Sequence, residues 1–138
     1  MQAYEAGDKT GAVDRFLQTV VEPEYRSVLD RVVPGAFAQA VADADTFFRI
    51  ELPALDQWSF TQEEAGRITQ PVLAVVGADC HTLWPGWVEV HNLTQAWLPR
   101  SEAFVLTGAT HGLQMMNPQG MAAGLAGFFA RHPMPERS

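Results

Sequence analysis

Two residues in this chain have the type and the placement to do proton chemistry, Asp79 and His111. Asp79 follows the run Pro71-Val-Leu-Ala-Val-Val-Gly77, and His111 follows Glu102-Ala-Phe-Val-Leu-Thr-Gly-Ala-Thr110. Both runs are short and largely β-branched or apolar, with a glycine at or near the end, the pattern of strands buried in a parallel sheet. In open α/β sheets, sites form beyond the carboxyl ends of the strands. A hydroxyl nucleophile is weak near neutral pH and needs an adjacent base. A histidine can be that base, and a carboxylate fixes its tautomer and stabilises the imidazolium that forms. Asp79 and His111 therefore read as the acid and base of a catalytic triad.

Blander roles compete. An aspartate just past a strand is commonly a turn or cap residue. A lone loop histidine often only bonds backbone. Cys80, His81, His91 and His111, with Asp79, are zinc-ligand types, but their spacing matches no compact ligand pattern. His91 falls mid-helix, where an exposed position is expected, and neither a metal nor another cofactor is expected. Cys80 reads as a small buried filler rather than a nucleophile. The four serines, Ser27, Ser59, Ser101 and Ser138, do not lie in Gly-x-Ser-x-Gly, and none follows an apolar strand and opens a helix. No glycine-rich phosphate loop is present.

The elements that must position Asp79 and His111 begin near Arg67. Strand, helix, strand and helix are expected at Pro71–Val76, Gly86–Leu98, Ala103–Leu106 and Pro118–Ala130, the alternation of a βαβ unit. Pro118 suits a first helical turn and Asn117 its cap. Two strands alone leave an unpaired edge. The first sixty or so residues read as helices. Asp8 caps a run carrying Val13, Phe16, Leu17 and Val20, which Pro23 breaks. A second helix carries Tyr25, Val28, Leu29 and Val32 up to Pro34-Gly35. A third carries Phe37, Val41, Ala44 and Phe48, with Pro53 near its end and Leu55, Trp58 and Phe60 in an apolar linker.

Taken in order, the Pro-led strand to Gly77, Asp79, Pro85, the helix through Trp97, the second strand, Gly108-Ala-Thr-His111, Asn117-Pro118 and the terminal helix resemble the C-terminal part of an α/β-hydrolase. Residues 1–66 resemble the helical cap that many of these enzymes insert, and residues 67–138 the C-terminal part of the core. The resemblance implies a partial α/β-hydrolase fold, a helical cap segment followed by the last βαβα unit of a parallel sheet. It implies hydrolysis of a small apolar ester or related bond, with His111 as base and Asp79 orienting it. The nucleophile, serine or aspartate, and the oxyanion-hole donors would then lie upstream of this chain, so the chain alone is expected to be inactive. Phe37, Phe48 and Trp58 of the cap, with Leu113, are expected to line the substrate pocket. The alternative is a catalytically inactive truncated hydrolase-like chain serving as a binding or interaction module.

Composition bounds both. The 138 residues are 47% hydrophobic and 18% charged, enough for a packed core. The formal net charge of −7 argues against nucleic acid or an anionic membrane surface as partner. A small-molecule substrate remains, with self-association through the open sheet edge. The single cysteine excludes an internal disulfide. No run approaches the ~20 apolar residues of a membrane span, and the first residues lack the blocks of a signal peptide. A cytoplasmic location is the expectation.

Overall fold

A computed structural model describes residues 1–133. The chain is mixed α/β and divides into two compact units between Phe60 and Thr61.

The first unit is helical: α1 (Gln2–Glu5), α2 (Lys9–Val20), α3 (Tyr25–Val32), α4 (Ala36–Ala42), α5 (Ala44–Thr46) and α6 (Leu52–Gln57). Asp8 caps α2, accepting a hydrogen bond from the Gly11 amide at 2.8 Å. The third helix is not the single run that its apolar spacing suggests. It breaks at Asp43, and a π-helical turn, Phe47–Glu51, separates α5 from α6. Pro53 explains the wider turn: it has no N–H to give the Arg49 carbonyl, and its ring would crowd that carbonyl in an α-helix. Residues 52–57 are accordingly helix rather than linker. Tyr25, fully buried, centres the core, and its hydroxyl donates to Asp14 Oδ1 at 2.7 Å.

The second unit opens with α7 (Gln62–Gly66), closed by a capping box between Thr61 and Glu64. Two strands follow, β1 (Val72–Gly77) and β2 (Ser101–Leu106), paired in parallel from Val72 opposite Ser101 to Gly77 opposite Leu106. The crossover is α8 (Gly86–Trp97), which packs on both strands. Next come α9 (Leu113–Met116) and α10 (Pro118–Arg131). Asn117 caps α10, accepting from the Gly120 amide at 2.8 Å. Glu102 and Phe104, two apart and so on one face of β2, both meet α10. Glu102 pairs with Arg131 and His132, and the Phe104 ring lies where a side chain at Gly124 would stand. Among the described residues β1 and β2 pair only with each other, so each keeps one open edge. None of the described helices is long and apolar enough to cross a membrane.

Candidate functional site

The loops that follow β1 and β2 are joined by their backbones. The Ala78 amide donates to the Leu106 carbonyl at 2.9 Å, and the Asp79 amide donates to the Ala109 carbonyl at 3.0 Å. Gly77 is what allows this approach: a Cβ there would stand 2.2 Å from the carbonyl oxygens of both Ala109 and Thr110. The second loop is also tied forward. Asn117 Nδ2 donates to the Thr107 carbonyl at 2.9 Å, and the Thr110 amide and hydroxyl both point at Met116 sulfur, at 3.3 and 3.1 Å. The backbone thus brings the Asp79 and His111 loops side by side at the carboxyl end of the strand pair, where α/β sites form.

Their side chains do not meet. No hydrogen bond or ion pair joins Asp79 to His111, and no other described carboxylate takes its place. Asp79 is solvent-exposed. The His111 ring instead lies flat on the Trp87 indole, with centroids 3.9 Å apart and planes 13° from parallel. Although the residue is exposed overall, the protein against its ring holds the imidazole below its ordinary pKa of 6.5. That shift favours the neutral imidazole, the form that can accept a proton.

His111 borders a cleft of about 210 Å³, lined also by Gly77, Cys80, Trp87, His91 and Leu113. Trp87, His91 and Thr94 share this lining because positions three and four apart fall on one helical face. The same geometry corrects the expectation for His91. It is 8% exposed, turned inward on α8, and burial lowers its pKa. Cys80 is 1% exposed, and burial raises its thiol pKa, which suits a packed filler and not a thiolate nucleophile. His81 turns back to its own loop, its Nδ1 3.1 Å from the Ala78 carbonyl oxygen. Among the described residues no group of three or more His, Cys, Asp or Glu side chains is arranged to hold a metal.

Leu113 lines the cleft beside His111. The aromatic residues of the first unit have separate fates. Phe37 is buried beside Tyr25 with the Arg26 guanidinium 3.6 Å above its ring centre. Phe48 is buried against Tyr4, Phe16 and Phe47. Trp58 is 67% exposed and stacks on Phe60. Of the serines, Ser27 and Ser101 hydroxyls donate to nearby carbonyls, Ser59 is exposed, and Ser138 lies outside the described residues.

Trp87 is the site residue that sequence reasoning missed. Its one signal is position, an indole in the first turn of the helix that follows the Asp79 loop. Glu102 with His132 is a second missed carboxylate–histidine pair. Glu102 lies near the start of β2, away from the Asp79 and His111 loops, and hydrogen bonds from His132 and Arg131 hold its pKa down. That pair ties α10 to the sheet.

The chain matches no protein-family model, no curated protein and no solved structure.

Proposed function

We propose that this chain is a C-terminal fragment of an α/β-hydrolase acting on a small apolar ester or related bond, supplying the triad base, His111, and the acid, Asp79. One observation carries the reading: a neutral histidine borders a cleft at the carboxyl end of a parallel strand pair, on a loop bonded through the backbone to the aspartate's loop. A volume of about 210 Å³ favours a small acyl or alkyl group, since ordinary small-molecule pockets run from about 300 to 1,000 Å³. In the competent state Asp79 turns to accept from His111 Nδ1, and Nε2 takes the proton of a nucleophile contributed from outside these 138 residues. A small-molecule substrate, no nucleic-acid or membrane partner, no cofactor and a cytoplasmic location belong to the same proposal.

The test is turnover of nitrophenyl acetate by the whole product of the gene. His111→Ala should lower kcat by on the order of 10⁴–10⁶, as removal of a triad histidine does. This chain by itself should give no turnover above background. Unchanged turnover in His111→Ala would sink the assignment. The second reading, an inactive hydrolase-like chain acting as an interaction module, is favoured by the open edges of β1 and β2, which template pairing with another strand. No esterase activity in the whole product, with concentration-dependent self-association of this chain, would favour that reading instead.

A further inference from the structure

The first unit holds a larger cavity than the one beside His111, about 380 Å³, between α2 and the segment running from α4 into the π-helical turn. Its apolar part is Phe16, Leu17, Phe47 and Phe48; the Phe16 and Phe47 rings meet edge to face at 4.7 Å. Its polar part is acidic: Asp43 and Glu51 line it, and no lysine, arginine or histidine does. Both carboxylates lack a cationic partner among the described residues, and the Asp43 carboxylate accepts from Gln39 Nε2 at 2.9 Å. Asp45, two residues from Asp43, differs: Lys9 neutralises it at 2.7 Å. Phe47 lies four residues from each of these two carboxylates along the same helical segment, and the π-helical turn that begins at Phe47 is a distortion frequent at functional sites.

We infer that this cavity binds an aryl- or alkyl-ammonium ion, its apolar body among Phe16, Leu17, Phe47 and Phe48 and its cationic head between Asp43 and Glu51. The volume falls within the range of small-molecule sites. Two unpaired carboxylates on an apolar cavity oppose an anionic ligand and favour a cation, and an aromatic ring adds attraction for an ammonium group. The chain's net charge of −7 acts in the same direction at longer range. This proposal does not rest on His111 or Asp79, neither of which lines the cavity.

The test uses two probes with the same ring and opposite charge, 1-naphthylmethylammonium and 1-naphthylacetate, followed by fluorescence and by methyl NMR of this chain. The ammonium should bind, shifting the Val13 and Leu17 methyls, and the carboxylate should bind at least about tenfold more weakly. Asp43→Asn with Glu51→Gln should remove that preference while leaving the melt unchanged, since both residues are exposed. Phe47→Ala should weaken both probes. Equal affinity for the two probes, no binding of the ammonium at millimolar concentration, shifts elsewhere in the chain, or a preference that survives the double substitution would each overturn the proposal.

Discussion

Within each unit of this chain, different kinds of bond join the segments that carry its most telling side chains. In the first, distant segments are joined by side chains: Tyr4 and Lys9 both donate to Asp45, and Tyr25 donates to Asp14. In the second, the segments that carry Asp79 and His111 are joined by main-chain bonds, from Ala78 to Leu106 and from Asp79 to Ala109. The difference matters for function. A backbone clamp fixes where two loops run but leaves their side chains free to turn. Asp79 and His111 thus sit on adjoining loops without sharing a hydrogen bond.

The comparison breaks first at Gly77. Gly77→Ala drives a methyl into the Ala109 and Thr110 carbonyls, so the second unit should lose about 1–3 kcal/mol, the range for forced overpacking. Urea unfolding followed at Trp87, whose indole lies on His111, reads this loss. An unchanged midpoint would mean that the two loops are not clamped as described. Tyr25→Phe should cost less, about 0.5–1.5 kcal/mol, because it deletes one hydrogen bond and keeps the ring. A larger loss from Tyr25→Phe than from Gly77→Ala would reverse the ranking of side-chain and backbone ties.

The smallest effect is on pH. Burial depresses His91 and His111 in the folded chain below their ordinary 6.5. The unfolded state then binds protons more readily between the two pKa values. The stabilisation is full above about 6.5 and is lost as pH falls through the folded values. Melting temperature should therefore fall below about pH 6.5, and His91→Gln should soften that slope. An unchanged slope would remove His91 from the account.

Much of this was legible in the sequence. The strands fall within two residues of their expected bounds, and Asp8 and Asn117 cap the helices that follow them. These features are local: apolar runs closed by glycine, and a cap residue whose side chain reaches three residues on. The Thr61–Glu64 capping box was equally local and was overlooked. The π-helical turn was not legible, because its register reflects a conflict between Pro53 and a helix that continues on both sides. Trp87 on His111 was not legible either, since that stack depends on where the first turn of α8 sits above a loop more than twenty residues on. The inward turn of His91 follows from the same placement, and the mid-helix position alone did not show which face α8 turns to the sheet.

The measurement that tests the central claim most directly is an NMR titration of the His111 ring in this chain and in its Trp87→Ala variant. The account predicts a pKa below 6.5, with an upward shift when the indole covering the ring is removed. A His111 pKa at or above 6.5, unmoved by Trp87→Ala, would contradict a neutral base poised in the cleft.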